Sequence, residues 1–231
     1  MSAINFEILA YDDTPLGPLC LRRRELLAEP GTIVTEVSLN HEFLMSSYNT
    51  ASERALASVA LEMHGGSDLD VLVGGLGLGY TARAALVPDR VARVEVVEFL
   101  PQVIGWLDQG LIPLAGELKA DARLQVVRGD VYLRLSEPPA RAHDLILIDV
   151  DHSPDERLTA ANGFFYTEEG LERAKRHLKP GGVLGIWSYA ESSPFADALR
   201  RAFREVRVVP IEFKNRFVGE TQTDWLFFAR P

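Results

Sequence analysis

The run Val71-Leu72-Val73-Gly74-Gly75-Leu76-Gly77-Leu78-Gly79 offers the clearest chemistry in this chain of 231 residues. Gly74, Gly75, Gly77 and Gly79 let the main chain approach a ligand closely, and a helix opening behind them presents unpaired N–H groups to it; the same glycines can also serve a tight turn. Glu98 ends the next apolar run about 20 residues later, where a carboxylate can accept from both hydroxyls of a ribose or stand solvated at a strand end. Asp130, with Val131 beside it, closes a third run and can meet an adenine amino group or simply make a turn. A fourth run ends at Asp149, followed by Val150, Asp151 and His152. Two carboxylates and an imidazole that titrates near neutral pH suit acid–base work, although Asp151 and His152 can equally be loop residues.

These groups matter jointly because each follows an apolar run, and ligands of an open parallel sheet bind outside the carboxyl ends of its strands. Strands are expected at Asp70–Val73, Val94–Glu98, Leu124–Val127, Leu145–Ile148 and Val183–Trp187. Helices are expected at Tyr80–Leu86, at Pro101–Gln109 and from Thr167 to Leu178, the last with acids in its first turn and Lys175, Arg176, His177 and Lys179 at its end to complement the dipole. Val206–Phe213 and Thr223–Ala229 read as a C-terminal antiparallel hairpin at the sheet edge. Ahead of the core, Pro18–Arg24 and Thr32–Leu39 predict a small N-terminal β element, and Ser52–Met63 an alanine-rich helix. The fold class is therefore α/β, a mostly parallel sheet with an antiparallel C-terminal hairpin, preceded by an N-terminal element that covers the mouth of the site.

Composition narrows the function. With 47% hydrophobic and 25% charged residues the chain can bury one full-sized core. A formal charge of -9 disfavours nucleic acid as a partner and suits a cationic small molecule. One cysteine, Cys20, gives neither an internal disulfide nor a metal cluster, so no metal is expected and a cytoplasmic location fits. MSAINFEILAYDDTP lacks the basic start and apolar core of a signal peptide, and no apolar run reaches the roughly 18 residues of a membrane span.

From Gly74 to Trp187 the order of motifs resembles the spermidine synthase family, the polyamine aminopropyltransferases, whose core is similar to class I methyltransferases. Besides the glycine loop, Glu98 and Gly129-Asp130, the resemblance rests on Asp144-Leu145-Ile146-Leu147-Ile148-Asp149, Phe164-Phe165-Tyr166 and Leu178-Lys179-Pro180-Gly181-Gly182-Val183, with His41-Glu42-Phe43 upstream. It implies a Rossmann-like class I methyltransferase fold, with residues 1–50 as N-terminal β element and lid and 51–231 as the S-adenosylmethionine-binding domain. It implies that Gly74, Gly75, Gly77, Gly79, Glu98, Asp130, Val131 and Asp149 bind the cofactor, and that Asp149, with Asp151 or His152, binds and deprotonates an amine. Tyr166, Trp187 and Glu53 are substrate-binding candidates, each with packing or a looser lid position as its plainer role; Glu42 is a weaker one.

Two departures shape the expected activity. Aminopropyltransferases resemble one another in a Gly-Gly-Gly-Asp-Gly-Gly loop whose acid holds the amine end of decarboxylated S-adenosylmethionine; here the loop has no acid. That favours intact S-adenosylmethionine, whose carboxylate helix N–H groups can bind. Plant putrescine N-methyltransferases also have an apolar residue and an aromatic-Thr pair similar to Leu78-Gly79-Tyr80-Thr81. The second departure is Asp149-Val150-Asp151-His152-Ser153-Pro154, where Asp151 is displaced from the family's second acid. The leading expectation is thus methyl transfer from S-adenosylmethionine to a small amine-bearing substrate. Aminopropyl transfer from the decarboxylated form to a polyamine is second, and a non-catalytic nucleoside-binding protein or a nicotinamide dehydrogenase are readings of other classes. A homodimer is a possible assembly; neither nucleic acid nor membrane is an expected partner.

Overall fold

The computed structural model describes residues 6–215 and 219–231. The first residues of the stretch read against a signal peptide, and part of the loop expected between the C-terminal strands, lie outside them. Four N-terminal strands, β1 (Phe6–Thr14), β2 (Gly17–Glu25), β3 (Ile33–Leu39) and β4 (Glu42–Ser46), form a separate antiparallel sheet in that order. Asn40 and His41 turn β3 into β4 with φ of 50° and 66°, the left-handed conformation that two-residue hairpin turns need and asparagine tolerates. Neither β1 nor β4 was legible, because their side chains are mostly exposed or half-buried and lack a continuous apolar face.

Next comes α1 (Ala51–His64), closed by Gly65 in the left-handed region with its N–H on the Leu61 carbonyl. Leu56, Ala57, Ala60 and Leu61 sink into the main core, so this helix is a wall of the core rather than part of a lid.

The second sheet has seven strands in the order β10-β11-β9-β8-β5-β6-β7. β5 (Leu69–Gly74), β6 (Val91–Glu98), β7 (Leu124–Arg128), β8 (His143–Ile148) and β9 (Leu178–Ser188) run parallel. β11 (Glu220–Arg230) adds antiparallel to β9, and β10 (Glu205–Asn215) to β11. Alternation along the strands serves both faces: Val71, Val73, Leu145 and Leu147 join one core, Leu72, Ile146 and Ile148 the other. Phe228 and Phe227 of β11 are likewise fully buried on opposite faces, at about 1.5–3 kcal/mol each, which fixes the terminal hairpin as part of the sheet.

From β5 the chain steps outward to β6 and β7, then returns to the other flank of β5 for β8 and β9. The carboxyl ends of β5 and β8 are therefore the switch point where a crevice opens. Connections are made by α2 (Tyr80–Leu86), α3 (Pro101–Asp108), α4 (Ala115–Ala120), α5 (Val131–Ser136), α6 (Glu168–Lys175) and α7 (Ser193–Ala202). The helix expected to reach Leu178 stops at Lys175, because Leu178 is already paired with His143 in the sheet. Pairing resumes at Leu145 with Val183, so Lys179–Gly182 bulge outward. Lys179 pairs with Asp144 at 2.7 Å, and the His177 ring meets the Glu137 carbonyl, so neither serves the helix dipole. Among the described residues no helix is long and apolar enough to cross a membrane.

Candidate active site

Close main-chain approach explains the glycine loop at the end of β5. Gly75 has φ of 90° and lies so near the Asp149 carbonyl that any Cβ would collide with it. Gly79, also at 90°, opens α2, and a side chain there would strike Leu118. The Asp149 N–H donates to the Gly74 carbonyl at 2.9 Å, and Val131 packs on Gly74 from below. Glu98, 7% exposed, ties the loop to β6: Oε2 accepts from Leu76 N–H and Oε1 from Leu100 N–H, both at 2.8 Å. Burial raises its pKa, opposed by these and neighbouring main-chain donors. Asp130 caps α5, its Oδ1 accepting from Tyr132 N–H at 2.9 Å and Leu133 N–H at 3.1 Å.

Gly75, Gly77, Glu98, Asp130 and Val131 line a mainly apolar cavity of about 330 Å³. A larger cleft of about 700 Å³ adjoins it, and Gly77, Met45, Asp149 and Val150 line both. Asp149 thus stands at the junction. Its Oδ2 accepts from Thr81 Oγ1 at 2.6 Å. Glu53 of α1 and Asp224 of β11 line the same cleft, and the Ser52 hydroxyl donates to Asp224 Oδ2 at 2.5 Å while accepting from Trp187 Nε1 at 2.9 Å.

Electrostatics single out these three carboxylates. Burial, then the charge of Asp149, lifts Glu53 to about 8. Burial lifts Asp149 to about 6, reinforced by Asp224 and opposed by the Thr81 hydroxyl. Asp224 is raised mainly by burial, against donors on Ser52 and Trp187. Among the described residues no Lys, Arg or His forms an ion pair with any of the three. Such a cluster holds a shared proton when empty and attracts a cation.

Other expected site residues are placed differently. Asp151, 2% exposed, is saturated: Oδ1 accepts from Leu158 N–H at 2.7 Å and Asn162 Nδ2 at 2.8 Å, and Oδ2 from the Tyr132 and Tyr166 hydroxyls at 2.8 and 3.0 Å. With four donors already on it, this carboxylate ties down the loop that follows β8, and it also lines the larger cleft. Tyr166 is buried behind Asp151, edge-on to Phe165 and Phe195, and lines neither cavity; it is not a pocket wall. His152, Trp187 and Tyr189 do line the cleft, as does Glu42 at the N-terminal sheet. His64 and His143 lie at the opposite end of the sheet, against Asp144 and Asp70, and among the described residues no cluster could hold a metal.

No family model matches the chain. Over 141 residues, 60% of this chain, it is 34% identical to polyamine aminopropyltransferase 2 of Streptomyces coelicolor, but it spans only 24% of that protein. Spermidine synthase from Thermotoga maritima superposes with a TM-score of 0.73 at 20% identity, over 96% of this chain and 72% of that one. A spermidine synthase solved with the transition-state analogue AdoDATO gives 0.72 at 19%, over 96% and 71%. The chain therefore shares the fold of these spermidine synthases. Its own glycine loop is apolar, with Leu76 and Leu78 buried in the core.

Sequence inspection missed Asp224 and Ser52 as site residues. Ser52 and Asp224 are 172 positions apart, and the only local hint was a carboxylate set immediately before the apolar run Trp225–Ala229.

Proposed function

We propose that the chain is a transferase of the spermidine synthase type, moving an aminopropyl group from decarboxylated S-adenosylmethionine to an amine of the polyamine class. The observation that carries this is the cation-free group Glu53, Asp149 and Asp224 at the junction of a nucleoside-sized cavity and a wider cleft. The names of the curated relative and of the solved neighbours support the same reading. The smaller cavity fits the nucleoside: Glu98 would hold the ribose, Asp130 Oδ2 the adenine amino group, and Val131 the ring face. Methyl transfer, ranked first from the glycine loop alone, drops to second. Arg22, Arg24 and Lys214 also line the wider cleft, but the three acids grouped at Asp149 repel the carboxylate of the intact cofactor, while the buried Leu76 and Leu78 remain in its favour.

In this reading the donor supplies a sulfonium whose adjacent propyl carbon is open to displacement. Asp149 orients the acceptor ammonium, takes its proton and leaves a neutral nitrogen lone pair. The new N–C bond forms as the C–S bond breaks, the sulfur keeps that electron pair and leaves as neutral 5'-methylthioadenosine, and the second amine proton passes to the carboxylate cluster. Alignment of donor and acceptor supplies much of the rate, as in other direct displacements. Parallel calorimetry with S-adenosylmethionine, its decarboxylated form and 5'-methylthioadenosine, followed by product analysis with 1,4-diaminobutane, tests the assignment. Tighter binding of the intact cofactor with methylated product would replace it by methyl transfer.

A further inference from the structure

The glycine loop brings no acid to the junction of the two cavities, yet the donor proposed above ends in an ammonium that needs a partner when it leaves water. Resting on that function, we infer that Asp224 and Glu53, with Ser52 fixing Asp224 in place, hold the amine end of the donor and so select its decarboxylated form. A nucleoside seated on Glu98 extends its sulfur substituent past Gly77 and Met45, residues common to both cavities, into the cleft that Glu53 and Asp224 line. The continuity of the two spaces therefore points the donor's chain at these acids, independently of their charge.

Asp224 is prepared for one task. It is 8% exposed, and Trp225 after it is pinned in the sheet opposite Ser188. Ser52 is 1% exposed, and its one hydroxyl proton lies between Asp224 Oδ2 at 2.5 Å and Glu53 Oε2 at 3.2 Å, the shorter distance assigning it to Asp224. Trp187 Nε1 occupies an acceptor position of the same oxygen, which leaves Ser52 no freedom to rotate. A carboxylate held this way meets an incoming ammonium without losing rotamer entropy on binding. The α-carboxylate of intact S-adenosylmethionine would enter the same acids and be repelled. The acid absent from the glycine loop is thus replaced from α1 and β11.

The test titrates decarboxylated S-adenosylmethionine, intact S-adenosylmethionine, 5'-methylthioadenosine and 1,4-diaminobutane separately into wild type, Asp224→Asn and Ser52→Ala. Asp224→Asn is expected to weaken the decarboxylated donor by about tenfold or more, the scale of a lost charged hydrogen bond. 5'-Methylthioadenosine, which has no amine, should be unaffected. Ser52→Ala keeps all three carboxylates and should give a smaller loss of the same selectivity; it also decides the matter if Asp224→Asn does not fold. Equal weakening of every adenosyl ligand, or weakening of 1,4-diaminobutane alone, overturns the inference. A wild type preferring the decarboxylated donor, with that preference intact in both variants, overturns it while sparing the proposed function. A wild type preferring intact S-adenosylmethionine overturns both.

Discussion

Replacing Glu53 by Gln should stabilise the empty protein at alkaline pH while damaging its site. The side chain keeps its shape but loses a charge held beside Asp149 and Asp224. A carboxyl at about 8 in the fold against 4.5 unfolded sets a ceiling of about 5 kcal/mol at 1.36 kcal/mol per pKa unit. Water in the cleft and the proton shared with Asp149 bring the expected gain to about 1–3 kcal/mol. The sign follows from proton binding. Between about 4.5 and 8 the native state holds more protons at Glu53 than the unfolded chain does, so wild type loses stability as pH rises through that window, and below 4.5 it loses none. Urea denaturation of wild type and Glu53→Gln at pH 4.5, 7 and 9 should therefore show a difference that opens with pH. Saturating decarboxylated S-adenosylmethionine at pH 9 should narrow it by stabilising the wild type more than the variant. A difference that stays constant with pH, or a wild type more stable than Glu53→Gln at pH 9, would refute the account of Glu53 as an uncompensated buried acid.

Glu98→Ala should weaken every adenosyl ligand by roughly 1.5–3 kcal/mol and also cost about 1–3 kcal/mol of stability for each of the Leu76 and Leu100 N–H groups left without an acceptor; normal affinity in the folded variant removes Glu98 from the site. Asp149→Asn should lower turnover about 100- to 10,000-fold with little change in donor affinity, and near-normal turnover would shift attention to His152. Turnover of the wild type should fall as pH drops through about 6, where Asp149 becomes protonated; a rate independent of pH from 5 to 8 would exclude Asp149 as the base. Asp151→Ala should destabilise the protein by about 1–3 kcal/mol per orphaned donor, and a variant as stable as wild type in urea would mean that its four hydrogen bonds do not form in solution.

How much was legible follows the range of the interactions. The parallel strands could be read because each is a short apolar run ending in a glycine or acid, and Gly75, Glu98 and Asp130 follow directly from strand ends. Asp130 was read for a ligand or a turn, and its role as the cap of α5 went unseen because Val131–Ser136 is short. Asp151 looked like a catalytic acid from its neighbours in the sequence. Its donors come from Tyr132, Leu158, Asn162 and Tyr166, and only the fold shows that they converge on one carboxylate. Glu53 was placed in a lid because a helix joined to an N-terminal β element can lie anywhere; burial of Leu56 and Leu61 brings it to the cleft.

A missing acid in one motif therefore says less about the donor than it first suggests. In an open sheet the binding groups need only converge at the switch point, and the chain can supply a charge there from whichever element reaches it. Here the glycine loop comes from β5, the shared carboxylate from the end of β8, and the other acids from α1 and β11, 171 residues apart in numbering from Glu53 to Asp224. On the proposed function, the acid missing from the loop is offset by Glu53 and Asp224, which line the cleft from other elements. In that proposal the donor is selected by a local field that the fold assembles from several elements, not by the loop alone.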